Sequence, residues 1–190
     1  MLSKEYNGDE QNYTDTERNG VSILDNQLYI HKTVRVNYTS YNMRQQQDVV
    51  NPSSKPDVMV LSCEDNNDTD PFWYAQVIKI FHVFVLHHIS APQVEQTLME
   101  PKRMDILWVR WFGLDTDARG GWSKKCLHSI SFIPSDEPGA FGFIDPEQII
   151  RGVHLIPNFP RERTDSRLPP SIVRPANDKD EDWDSFYVNL

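Results

Sequence analysis

Two cysteines in 190 residues, Cys63 and Cys126, are too few for a disulfide framework. No apolar stretch approaches the ~20 residues needed to span a bilayer, so a membrane is not an expected partner. Met1-Leu2-Ser3-Lys4-Glu5 runs straight into polar sequence, without the charged-then-apolar grading of a signal peptide. The expected setting is intracellular and reducing, with the nucleus as the candidate compartment. The sequons at Asn12, Asn37 and Asn67 carry no meaning outside the secretory route.

Catalytic patterns are missing too. The chain has no C-x-x-C, H-E-x-x-H, G-x-S-x-G or G-x-x-x-x-G-K, so it lacks the spacings that build zinc sites, nucleophile elbows and phosphate loops. Cys63, His82, His87, His88, Cys126, His128 and His154 are possible ligands without ligand spacing. Asp115 and Asp117 sit in a turn, and Asp145 reads as a helix cap. No set of residues fills the roles of nucleophile, base and oxyanion donor. The expectation is a protein with no cofactor and no metal that is not an enzyme.

Positive charge is scarce as well. The net charge is −9. Residues 1–70 hold 6 Lys and Arg against 12 Asp and Glu, residues 71–157 hold 8 against 9, and residues 158–190 hold 5 against 7. Acidity therefore lies in the flanks. Nucleic-acid affinity comes largely from cations that neutralise phosphates, and no basic stripe exists. A local patch at Arg119, Lys124 and Lys125, with Arg151, is the candidate nucleic-acid contact; a solvated hairpin turn is the plainer reading of the first three.

Aromatic residues are abundant: five Trp, nine Phe and seven Tyr. Three of the tryptophans fall in two runs. The first is Pro71-Phe72-Trp73-Tyr74-Ala75-Gln76-Val77-Ile78-Lys79-Ile80-Phe81-His82-Val83-Phe84-Val85; the second is Met104-Asp105-Ile106-Leu107-Trp108-Val109-Arg110-Trp111-Phe112-Gly113. β-Branched and aromatic residues favour strands over the competing helix. Both parities of the first run are apolar, which predicts a long strand that bends so that its two halves serve different faces of a curled sheet.

Around these runs, residues 1–30 read as a disordered leader containing one strand fragment, Val21-Ser22-Ile23-Leu24. Lys32–Tyr41 alternates as a strand, Met43–Asp48 is polar and Gln-rich, and Asp57–Ser62 is a short buried strand. Trp122–Ile133 is a weaker strand region. Asp145 can cap a short helix that opens with Pro146, and Gly152–Pro157 forms a closing strand. Residues 158–190 read as an extended, acidic, Pro-rich tail in which Trp183, Phe186 and Tyr187 are able to dock. The fold class is mainly β: a small SH3-like barrel over residues 31–157, with one short helix and disordered flanks.

Trp73, Tyr74, Trp108, Trp111 and Trp122 could line a cage for a methylated lysine by cation–π attraction, but core burial accounts better for most of them. Trp122 follows two glycines at a turn and is the one to leave exposed. With Asp115 and Asp117 nearby, it is the candidate partner contact.

The stretches Asn51-Pro52, Asp57–Ser62, Phe72–Ala75, Met104–Gly113, Gly139–Pro146, Arg151–Pro157 and Asp182–Asn189 together resemble the C-terminal region of transposase-like proteins of basidiomycete fungi, in the Plavaka and Kyakuja-Dileera-Zisupton groups. A second likeness, over residues 70–157, is to bromo-adjacent-homology-like barrels of chromatin proteins. The first resemblance implies an accessory module detached from an upstream catalytic domain, with no site residues to carry over. The expected function is a non-catalytic interaction module that binds protein or chromatin. The rivals are a direct nucleic-acid-binding accessory domain and a decayed transposon fragment without selected function.

Overall fold

The computed structural model describes residues 20–39, 43–62, 71–87, 100–115, 127–174 and 180–189, leaving out the side chain of His87. The chain is mainly β. Its strands are β1 (Val21–Ile23), β2 (Tyr29–His31), β3 (Val34–Thr39), β4 (Gln45–Val50), β5 (Asp57–Leu61), β6 (Phe72–His87) and β7 (Lys102–Leu114). They continue with β8 (Ser129–Phe132), β9 (Phe141–Ile144), β10 (Ile149–Gly152), β11 (His154–Pro157), β12 (Arg163–Thr164), β13 (Asp182–Trp183) and β14 (Phe186–Asn189).

The chain divides into two compact units. One comprises Met1–Ile30 and Phe81–Ile106, the other His31–Ile80 and Leu107–Leu190. In the first, β1 runs antiparallel to the end of β6, with Val21 opposite His87 and Ile23 opposite Val85. Residues 20–30 are thus not part of a structureless leader, and the Val21–Leu24 fragment is largely strand. A 3-10 turn at Leu24–Asn26 places Asp25 and Asn26 at φ 53° and 52°, a left-handed geometry that these side chains tolerate better than most. Tyr29 stacks on His82 at 4.8 Å, and Val83 and Val85 are buried.

In the second unit the strand order is β10-β5-β6-β7-β8-β14-β11, with β9 also on β7 and a separate β3–β4 hairpin. Alternation along β5, β6 and β7 feeds two cores. Val58, Val60, Ala75, Val77, Leu107 and Val109 join Val36, Val50, Ile144 and Ile149 in one. Met59, Tyr74 and Phe112 join Ile130, Phe132 and Val188 in the other. The two apolar parities of the aromatic run therefore act side by side along its first half, where a bend between halves was expected.

Three further expectations change. The Gln-rich stretch is half of a hairpin: Tyr38 lies opposite Gln46 and Asn37 opposite Gln47, and Gln47 Nε2 donates to Asn37 Oδ1 at 2.8 Å. The closing strand is two strands broken at Val153. The tail is not separate from the domain, because β14 is an interior strand paired with both β8 and β11. The short helix is a single 3-10 turn, Pro146–Gln148, with Asp145 as its N-cap in a capping box, as its sequence predicts.

Gly142 marks a close approach. A Cβ there would lie 2.7 Å from Trp111 Nε1, so only glycine leaves room for the indole. Gly142→Ala will displace the Trp111 indole N–H resonance and lower stability by about 1–3 kcal/mol, the usual cost of overpacking. Two-dimensional NMR with chemical denaturation reads both effects.

Candidate functional site

Of the residues that the sequence singles out, Asp117, Arg119, Trp122, Lys124 and Lys125 lie outside the described residues, as do Cys63, Cys126 and His88. Asp115 and Arg151 are described, in different places. Asp115 already holds a cation of its own chain: its Oδ2 accepts from Arg161 at 2.8 Å and from the Ser129 hydroxyl at 3.3 Å.

Asp115 belongs to a chain of arginine–aspartate contacts that fastens the C-terminal segment. Arg161 also reaches Asp184 at 3.2 Å, and Arg167 donates to Asp184 at 3.2 Å and to the Phe132 carbonyl at 2.8 Å. Arg110 Nη1 donates to Asp182 at 2.8 Å. Arg174 donates to both oxygens of Asp182, at 3.1 and 3.2 Å, and to the Leu168 carbonyl. Arg110 is 2% exposed, with its guanidinium 3.7 Å from the centre of the Phe132 ring. Burial pulls Arg110 below its ordinary pKa; Asp182 opposes this, while Arg174 and Arg167 add to it. Asp115, the chief cause, holds Arg161 above its ordinary value. Between Asp182 and Asp184, Trp183 packs edge-on to Phe159 at 5.3 Å, with Arg163 4.8 Å from its ring centre.

The aromatic candidates split. Tyr74 is core, at 2% exposed. Trp73 and Trp111 meet edge to face at 5.8 Å, and Trp108 tilts against Phe141 at 6.5 Å. In the other unit His82 and Asp105 bring two donor atoms within 4.8 Å, but Asp105 is ion-paired to Arg103 at 2.7 Å.

Arg151 lies in a polar cleft of about 550 Å³ in the second unit, lined by residues of β4, the 51–56 turn, β5, β10, β11 and Asn189. Its Nε sits 3.3 Å from the Gly152 carbonyl and 4.0 Å from Asp48 Oδ2, with the guanidinium 4.9 Å from the centre of the Tyr38 ring. Asp48 is itself engaged: its Oδ2 accepts from the Gly152 N–H at 3.0 Å and its Oδ1 from the Tyr38 hydroxyl at 3.4 Å.

Asp57 is different. It opens β5 opposite Gln76, and its carbonyl accepts the Val153 N–H at 3.0 Å. Strand alternation turns its side chain to the face of Met59, towards the core that Val153 and Leu155 border. Its Oδ1 is sealed from solvent and has no hydrogen-bond partner among the described residues. Burial raises its pKa from 3.8 to about 7, because desolvation penalises the charged form. A titrating group perturbed in this way within a cleft is a functional-site candidate. The sequence carries one signal for it, an acid that follows Pro56 and leads a buried strand. Arg110 carries another, a lone charge inside W-V-R-W.

Compared with protein-family models, curated proteins and solved structures, the chain gives no match.

Proposed function

We propose that this chain is a non-catalytic interaction module, an SH3-like or bromo-adjacent-homology-like barrel derived from a fungal transposase, which binds protein or chromatin. The observation that carries this reading is the cleft around Asp57, which offers an unmatched acceptor without the partners of a catalytic group. No hydrogen bond joins Asp57 to Ser54, Asp48 or His154, its neighbours in the lining, so base, nucleophile and orienting group are not assembled. The barrel reading draws support from β10 and β11, which end the strand order yet adjoin each other in sequence around Val153.

The nucleic-acid rival draws less support. Arg110, Arg161, Arg167 and Arg174 are all committed to aspartates, so they are poorly placed to neutralise phosphates. Titrating the chain against reconstituted nucleosomes and against the same DNA free in solution separates the readings. Tighter binding to nucleosomes, with a shallow salt dependence, is the expected result. Equal binding with a steep salt slope would replace this reading with the nucleic-acid one, and no binding to either would remove the chromatin partner. A transposase reading frame beside the gene is the genomic context that the proposed origin requires.

A further inference from the structure

We infer that the cleft is a receptor for an unmodified primary ammonium group, the side chain of a lysine on a protein partner, with Asp57 Oδ1 as its acceptor. This inference rests on the interaction-module reading and names what the module would grip.

Buried polar atoms are nearly always paired in folded proteins. Asp57 Oδ1 is one exception: it is sealed within the wall of a cleft that its residue lines, with no partner among the described residues. A donor that parts this wall from the cleft side would satisfy it. The volume of about 550 Å³ falls within the range of sites that hold small ligands. Val50, Pro56, Val153 and Leu155 supply apolar lining, which suits the alkyl stem of a lysine that carries its charge at the tip.

The chemistry favours ammonium over guanidinium. A guanidinium presents a planar fork matched to two oxygens, whereas an ammonium is a compact point charge. Here one oxygen is orphaned. The other charged or titratable groups of the lining are Asp48 on β4, Lys55 in the turn, Arg151 on β10 and His154 on β11. Asp48 is engaged by the Gly152 N–H and the Tyr38 hydroxyl and lies beside Arg151, so it leaves Asp57 as the acceptor. Lys55 is exposed and is the internal competitor for the same oxygen.

The test is an NMR titration of the whole chain with Nα-acetyl-lysine N-methylamide, following the Asp57 carboxyl carbon and the Val153 amide. The controls are the Nε-acetylated probe and its norleucine analogue. Saturable shifts at both positions are expected, with affinity lower by about tenfold or more for either control, the scale of a hydrogen bond to a charged group. Asp57→Asn should weaken the lysine probe equally, and Lys55→Met should tighten it. Binding should fade as pH drops below about 7, where Asp57 takes up its proton.

Absence of saturable shifts, equal response to the acetylated probe, or undiminished binding by Asp57→Asn would each overturn the inference. The comparison of probes on the unaltered chain decides the matter even if a variant fails to fold. Nucleosome binding that persists in Asp57→Asn would sink the ammonium site while leaving the interaction module standing.

Discussion

Asp182→Ala will cost about 3–5 kcal/mol of stability, the usual penalty for breaking a buried ion pair from one side, whereas Arg110→Met will stay within about 1 kcal/mol of the parent chain. The asymmetry follows from how the charges are shared. Asp182 serves two guanidiniums, those of Arg110 and Arg174, whose side chains are only 2% and 3% exposed. Removing the carboxylate leaves two positive charges buried without it. Removing Arg110 leaves Asp182 still bonded to Arg174 at 3.1 and 3.2 Å.

Methionine in place of Arg110 also removes two buried N–H-bearing atoms, Nε and Nη2, that have no hydrogen-bond partner among the described residues, and it keeps an apolar contact with Phe132. Exchanging buried ions for well-packed apolar groups is often neutral or stabilising. Urea denaturation of the two variants reads the difference. Combining them should recover part of the Asp182→Ala loss, because one of the stranded charges is then gone. Similar losses from both single variants would show that Arg110 contributes net stability.

Part of the fold was legible in the sequence and part was not, according to whether the chemistry is local. β6 and β7 declare themselves through runs rich in β-branched and aromatic residues, although the two apolar parities of β6 point to a bend and instead reach two cores side by side along its first half. The capping box at Asp145 is likewise local chemistry. β4 is not local. Gln45, Gln46 and Gln47 have little strand preference of their own, and β3 supplies the pairing that makes them a strand. β14 is hidden for the same reason. Four residues beside an acidic run look like a tail until β8 and β11 flank them.

The candidate sites divide along the same line. A lone arginine in an apolar strand announces that some acid must face it, but Asp182 lies 72 positions away and nothing local points to it. The acidic run that reads as a solvated tail is, at Asp182 and Asp184, the set of counter-charges for four arginines. Asp57 is legible only as an acid at the edge of a strand. Its isolation, and its place beside Val153, whose N–H bonds the Asp57 carbonyl, are set by contacts that sequence spacing does not encode.

That isolation gives the chain a pH-dependent stability that one substitution should remove. The Asp57 carboxyl titrates at about 7 in the folded chain against 3.8 as an ordinary carboxyl. Between those values the folded state binds more proton than the unfolded state, so stability falls as pH rises through this window and levels off above about 7. The full gap is worth about 4 kcal/mol. Asp57→Asn keeps the shape and removes the charge. It should leave stability near pH 4 almost unchanged and raise it at pH 8 by up to about 4 kcal/mol, with the two pH profiles diverging between those limits. Chemical denaturation at stepped pH measures the divergence. Parallel profiles would mean that Asp57 finds a counter-charge in the free protein, with Lys55 the nearest candidate in sequence. The lysine probe should mimic the substitution in part, stabilising the parent chain at pH 8 and not at pH 5, since only the ionised carboxylate lacks a partner that the ammonium can supply.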